Sequence, residues 1–347
     1  MKLMKTTEAV GQVLCHDITQ IIPGVKKDAV FRKGHIITKE DIPVLLSVGK
    51  DTIYIWENDD TMMHENEAAQ VLYSMCACHT AGKMHPSSVK EGKIEVIADC
   101  DGLLKVDSEK LKKVNSFGEM MIATRHGNTT VKKGDKLAGT RIIPLVIKKD
   151  KLETASHICD DGPILDIKPF VVRKAAIITT GNEVYHGRIQ DAFTPVIEKK
   201  IAEFGAQMMF HEVFDDDDKK ITDGCLRAIE AGAEIVFCTG GMSVDPDDKT
   251  PLAIKNTGAR IVSYGSPVLP GAMFLLSYYD AGDRLVPICG LPGCAMYNKR
   301  TIFDIVLPRL MARDMILADE LAGLGEGGLC LNCDVCTFPN CGFGKGF

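Results

Sequence analysis

Three acids fall within four positions just past a double glycine in the stretch CTGGMSVDPDD, Cys238 to Asp248. The apolar run before it, AEIVFCT, reads as a buried strand, so the glycines mark the turn at its carboxyl end. Two more glycine turns follow strand-like runs: TTGNEV after VRKAAI, and GLPG after RLVPIC. In an open parallel sheet, ligands bind outside the carboxyl ends of the strands. Thr180, Gly181, Thr239, Gly240, Gly241, Ser243, Pro292 and Gly293 lie in these turns, where backbone N–H groups and hydroxyls at helix starts favour anions. The expectation is a site for a phosphate or a pterin-type anion. Glu183, Asp191, Asp217 and Asp248 fall on the same edge. Carboxylates there would repel an anion unless a divalent cation lay between, and Mg²⁺ is bound in that way by one or two carboxylates plus substrate oxygens. Most of the Asp215–Asp218 run, by contrast, suits the first turn of a helix, where acids complement the macrodipole.

The elements that must position these residues begin at about Pro169. VRKAAIITT, AQMMFHEVF, AEIVFCT, ARIVSY and RLVPICG read as strands. Between and after them, TPVIEKKIAEFG, the segment opening on DDDD, DDKTPLAIKNTG and CAMYNKRTIFDIVLPRLMARD read as helices, the last of them long. Strands alternating with helices of this length imply βαβ crossovers, hence an α/β fold with a mostly parallel sheet covered by helices on both faces. Smaller β-rich segments precede it. Residues 1–60 carry short β-type runs (GQVLCHDI, AVFRKGHIIT, DTIYIWE) and one helix in TKEDIPVLLSVG. Residues 61–168 open with a helix from Glu65 to about Ala81 and continue as a β-rich domain; Arg125 and His126 flank a Gly-Asn turn there, as solvated turn residues. The expected divisions are therefore 1–60, 61–168, 169–315 and 316–347.

Composition narrows the function classes. A net charge of −6 with no basic run speaks against a dedicated nucleic-acid binder. No stretch reaches the roughly 18 consecutive apolar residues of a membrane helix, and no secretory signal opens the chain, so a cytoplasmic protein with no membrane partner is expected. Of 13 cysteines, nine are scattered, and Cys76, Cys78 and His79 have the wrong spacing for ligands on one helix face. The other four, Cys330, Cys333, Cys336 and Cys341, are spaced C-x2-C-x2-C-x4-C. The first three follow the loop that wraps a [4Fe–4S] cluster, while a Cys₄ zinc site or free thiols remain open readings.

At TTGNEV, CTGGMSVDPDD, PVLPGAMF and GLPG before a helix, residues 170–312 resemble the molybdopterin-binding domain. Molybdopterin molybdenumtransferases, molybdopterin adenylyltransferases and the competence/damage-inducible proteins share that domain. EAVGQVLCHDIT and FRKGHIITKEDIPVL are also similar to N-terminal segments of molybdopterin-binding proteins. The resemblance implies binding of molybdopterin or adenylylated molybdopterin at the strand ends with Mg²⁺. By likeness to the molybdenumtransferases, it also implies catalytic roles for Glu183, Asp217 and Asp248, the last two as metal ligands. The partners so implied are the pterin, molybdate and other proteins of molybdenum-cofactor assembly, with a homo-oligomer as the default state. The chain departs from the molybdenumtransferase pattern in having no lysine in GSPVLPGAMF, GLPGCA in place of GLPGNP, and Phe193 in place of an asparagine. Those differences suit a second reading, a non-catalytic molybdopterin carrier or sensor with the cysteine tail as a metal-responsive module. A nucleotide pyrophosphatase of the competence/damage-inducible type is a third.

Overall fold

The computed structural model describes residues 2–22, 26–55, 59–80, 82–246 and 248–346; Trp56, Glu57, Ala81 and Asp247, parts of runs discussed above, lie outside them. The chain divides into two compact units. One takes in Met1–Asp99, Val106–Arg125 and Lys133–Asp166, the other Cys100–Lys105, His126–Lys132 and Ile167–Phe347.

Residues up to the middle of the chain form β1 (Lys2–Lys5), β2 (Ile18–Ile22), β3 (Lys26–Phe31), α1 (Asp41–Ser47), β4 (Thr52–Ile55), β5 (Met62–His64), α2 (Glu65–Ala77), β6 (Met84–Pro86) and β7 (Lys93–Ala98). There follow β8 (Gly102–Val106), α3 (Ser108–Ser116), β9 (Met120–Thr124), β10 (Thr129–Val131), β11 (Lys136–Ile142), β12 (Val146–Lys148), α4 (Lys149–Ser156) and β13 (Leu165–Lys168). In the first unit, β6-β7-β11-β9 make an antiparallel sheet. Its strand β7 alternates buried Ile94, Val96 and Ala98 with more exposed residues, the period-2 signature of a half-buried strand. The helix α2 buries Ala68, Ala69, Leu72, Met75 and Cys76, and it stops at Ala77, so Cys78 lies just beyond its end. Burial pushes the Cys76 thiol well up, as expected of a small core hydrophobe. A second cluster joins Leu14, Ile18, Ile37, Leu45 and Ile53 near the start of the chain.

The second unit continues with β14 (Lys174–Thr180), α5 (Asn182–Tyr185), α6 (Phe193–Ala202), β15 (Gln207–Phe214), α7 (Asp218–Glu230), β16 (Ile235–Thr239), α8 (Thr250–Asn256), β17 (Arg260–Tyr264), β18 (Leu275–Asp280), β19 (Leu285–Leu291), α9 (Ile302–Met311) and α10 (Ala318–Gly323). Six strands lie in the order β15-β14-β16-β19-β18-β17. The first four are parallel, and β18 runs antiparallel to both neighbours. Ile177 and Phe237 face α6 and α9 in one core cluster, and Ile178, Val236 and Cys238 face α7 and α8 in another. Both faces are covered, so the central strands are apolar throughout.

Two expectations need correction. LLSYYD is the strand β18, which had not been assigned: its turn with β19, where Ala281 donates to the Arg284 carbonyl, supplies the antiparallel strand between β19 and the edge strand β17. The long final helix is shorter, because Thr301 caps α9 with a capping box to Asp304; the residues before it hold only a 3₁₀ turn, Gly293–Ala295. Residues 1–60 and most of 61–168 fall within the first compact unit and residues 316–347 within the second, where Phe343 joins the core and Phe338, Cys330 and Cys341 pack against it.

An ionic hub closes this unit. Asp314, 5% exposed, accepts from Lys105 at 2.8 Å, Lys168 at 2.6 Å and Arg309 at 2.6 Å. Burial alone would raise its pKa; the lysine hydrogen bonds and the Arg309 charge outweigh that and hold it at about 2. A depressed carboxyl pKa stabilises the fold above the unfolded value near 3.8 and loses that contribution as pH falls towards 2. Asp314→Asn should therefore destabilise the unit at neutral pH by on the order of 2–4 kcal/mol, and flatten the acid limb of stability between about pH 4 and pH 2. Urea unfolding across that range checks it, and an unaltered acid limb would count against the hub.

Candidate functional site

The carboxyl ends of β14 and β16 are where the chain order reverses: β14 leads outward to β15 through α6, and β15 returns across it to β16 through α7. Such a reversal opens a crevice between the two strands. Thr180 ends β14 and Thr239 ends β16. The Thr180 hydroxyl donates to the Thr239 carbonyl at 3.1 Å and lies 3.0 Å from the Thr250 hydroxyl, which donates to the Gly240 carbonyl at 2.9 Å. The Thr250 N–H donates to the Gly241 carbonyl, so the start of α8 is tied to the turn. Gly240 and Gly241 both have positive φ, +82° and +53°. A Cβ on Gly240 would sit 2.0 Å from the Thr180 carbonyl oxygen, so only glycine fits.

The Thr239 hydroxyl is buried and has no hydrogen-bond partner among the described residues. By strand alternation it lies on the Phe237 side of the sheet, opposite to the Thr180 network. A buried hydroxyl without a partner costs about 1–3 kcal/mol, and orphans of this kind recur at functional sites. Ser243 is exposed in the following turn, and Gly293 is exposed after buried Pro292, with open space where its Cβ would be.

The acids divide by role. Both oxygens of Asp191 are engaged: one accepts from the Phe193 and Thr194 N–H groups, the other from the Thr179 and Thr194 hydroxyls at 3.0 and 2.6 Å. Burial opposes its ionisation, but these hydrogen bonds prevail and lower its pKa. His211 stands 3.5 Å from the same carboxylate and 3.2 Å from both hydroxyls. Thr179, Thr194, His211 and Thr250 went unnoticed in the sequence; a Thr at the start of the helix after GG, and a His inside a strand-period run, were the available signals. Asp217 caps α7, accepting from the Lys219 and Lys220 N–H groups at 3.0 and 3.2 Å. Asp216 accepts from the Asn182 N–H and so ties the β15 end to the Gly181 turn. Glu183 is exposed in α5. Asp248 is half-buried in its turn, where among the described residues its carboxylate accepts only a long 3.3 Å bond from the Asp245 N–H.

Among the described residues, no group of three or more His, Cys, Asp or Glu side chains is arranged to hold a metal. Glu183, Asp217 and Asp248 thus do not converge as a ligand set of their own. The four tail cysteines do not converge either: Cys330 and Cys341 are half-buried against the core while Cys333 and Cys336 are exposed. The tail's contribution in the structure is packing, with Arg300 stacked 5.1 Å over Phe338.

The edge network makes two contrasting predictions. Gly240→Ala should lower stability by roughly 2 kcal/mol or more, since its φ and the Thr180 carbonyl both oppose a side chain. Thr239→Val should leave stability unchanged or raise it by about 1 kcal/mol, because it removes an unpartnered hydroxyl at constant shape. Chemical denaturation of both variants measures this, and a loss above about 1 kcal/mol for Thr239→Val would mean the hydroxyl has a partner.

Residues 176–312 match the family model described as a probable molybdopterin binding domain, and residues 3–57 match a domain of unknown function. A putative competence-damage inducible protein of Bacillus cereus (strain B4264) is 32% identical over 129 residues, covering 37% of this chain and 30% of the relative. Another, from Bacillus velezensis, is 29% identical over 90 residues, 26% of this chain and 21% of the relative. The chain thus spans less than a third of the length of either. Among solved structures, the tungsten cofactor synthesizing protein MoaB from Pyrococcus furiosus aligns at 18% identity with a TM-score of 0.31, covering 41% of this chain and 89% of that one. The matched stretch holds the β14, β16 and β19 turns together with Thr180, Thr239 and Asp248. Over residues 176–312, then, this chain is similar to the family described as a probable molybdopterin binding domain.

Proposed function

We propose that the carboxyl edge of β14, β16 and β19 binds molybdopterin in its adenylylated form, and that the reaction served is Mg²⁺-dependent insertion of molybdate. The observation that supports this most is the buried, unpartnered Thr239 hydroxyl beside a double-glycine turn at the strand-order reversal. That hydroxyl and the N–H groups of the Gly240–Ser243 turn are the donors for phosphate oxygens. Thr180 and Thr250 hold the turn in place. Asp191, fully engaged at the start of α6, acts by position, as does Asp217 at the start of α7. Gly293 leaves room for a flat ring against the last turn.

Asp248 is the carboxylate with oxygens to spare, and an oxygen-only set around it suits Mg²⁺ completed by ligand phosphates. The ion, when bound, offsets phosphate charge and polarises the phosphoanhydride. The exposed Glu183 is the group able to approach a ligand from the α5 side. A second reading, a nucleotide pyrophosphatase, draws on the likeness to putative competence-damage inducible proteins.

Anaerobic protein mixed with adenylylated molybdopterin, Mg²⁺ and molybdate separates these readings by AMP release and retained pterin fluorescence. Insertion requires AMP release that depends on molybdate. Retained pterin without AMP means a carrier, and AMP release that does not depend on molybdate supports the pyrophosphatase. Asp248→Asn should cut molybdate-dependent AMP release by roughly a hundredfold or more while the unfolding midpoint stays in place. Undiminished release in that variant would remove Asp248 from the mechanism.

A further inference from the structure

The first unit holds two adjoining cavities that the pterin reading does not use. One, of about 450 Å³, is walled by His16, Lys33, Lys50, His64, Glu65 and Arg141. The other, of about 1050 Å³, shares Asp17, Asn66, Glu91 and Arg141 with it, so Arg141 stands in their common wall. Arg141 is near the end of β11, opposite Lys93 of β7 and Met121 of β9. Its Nε is buried with no hydrogen-bond partner among the described residues. Nδ1 of His16 is buried and likewise without a partner among them, with the ring set edge-on to Tyr54. Two unpartnered buried nitrogens around one cavity are a cost to the fold of about 1–3 kcal/mol each, which a bound acceptor would offset.

The neighbouring groups are already engaged or weakly opposed to an anion. His64 uses both ring nitrogens, one against the Cys15 carbonyl at 2.8 Å and one as the cap of α2. Asp17 accepts from the Lys33 N–H at 2.7 Å. Glu91 accepts from the Thr19 hydroxyl and pairs with Lys93 at 3.8 Å. Glu65 faces Arg141 without an ion pair between them among the described residues, and burial moves its pKa up against the Arg141 charge. Lys33 and Lys50 add positive charge to the walls.

We propose that this cavity binds a small molecule through a carboxylate or phosphate group, with the Arg141 guanidinium as the fork and His16 Nδ1 as a second donor. A planar fork of N–H groups matches either anion in a two-point contact, and a lysine ammonium does not. This site is separate from the strand-end site and stands whether or not that site binds a pterin.

The test is NMR of the full chain, following the Arg141 Nε–H and His16 ring signals during titration with inorganic phosphate or succinate against sodium chloride of equal ionic strength. A saturable shift of both signals by one or both anions is expected, and the responding anion tells which group is recognised. Arg141→Gln should weaken the anion by roughly tenfold or more, and Arg141→Lys by less. Glu65→Gln should tighten it a few-fold. Since Arg141 supports no ion pair among the described residues, its replacement should not lower the unfolding midpoint; if Arg141→Gln does not fold, the wild-type titration and Glu65→Gln decide. No shift beyond chloride, or an equal His16 shift in Arg141→Gln, would overturn the proposal.

Discussion

A Cβ on Gly240 would come within 2.0 Å of the Thr180 carbonyl oxygen, and this closeness sets the geometry of the whole strand-end region. Because the turn after β16 presses against the end of β14, the Thr180 hydroxyl can reach the Thr239 carbonyl and the Thr250 hydroxyl can reach Gly240. The start of α8 is thereby fixed by two threonines and the end of β16 by two left-handed glycines. What remains unpaired in this otherwise satisfied arrangement is the Thr239 hydroxyl. Polar groups buried in a rigid, low-dielectric surround are oriented before any ligand arrives, so they lose little on binding.

The helices on the two faces are held by different means. On the α7 and α8 side the packing is close enough that a Cβ on Gly224 would meet the Phe214 ring at 2.6 Å. On the α6 and α9 side, ionic contacts join the apolar core: Asp304 pairs with Lys200 and Arg300, and Asp314 gathers Lys105, Lys168 and Arg309. Buried charges arranged like this add direction more than net stability, since each must be stripped of water before it can be paired. Lys105 belongs to a short segment, 100–105, that leaves the first half of the chain to join the second unit, and Asp314 is one reason it does so.

Much of this was legible in the sequence. The alternation of apolar runs with Gly-ended helices from Pro169 onward marked a parallel α/β sheet, because buried parallel strands need apolar residues on both faces. The glycine turns were equally plain, since few residues other than glycine tolerate the φ seen at 181, 240 and 241. What stayed hidden was whatever depends on contacts distant in sequence. LLSYYD carries the strand β18, yet its neighbours are settled by a hairpin and not by a crossover. Asp217 and Asp191 look alike as acids at helix starts; only the structure tells a carboxylate occupied by N–H groups from one, like Asp248, that is barely engaged. The packing of the cysteine tail was hidden in the same way: its spacing speaks of thiol chemistry, and only the structure shows Phe343 in a hydrophobic core with Cys330 and Cys341 packed against it. Arg141 and His16 gave no sign at all, being 125 positions apart and brought together by β11.

The strand order carries a consequence for how the unit comes into being. The last strand of the sheet to be synthesised, β19, lies between β16 and β18, at the middle of the sheet. On an emerging nascent chain, β14, β15 and β16 can pair with one another while the inner edge of β16 stays open. That edge is an apolar, unpaired template until residues 285–291 have left the ribosome, and Phe343 reaches its place on the core later still. Synthesis therefore delivers the flanking strands before the central one, and the interval before β19 emerges is the one in which a chaperone that shields exposed strand edges would matter most.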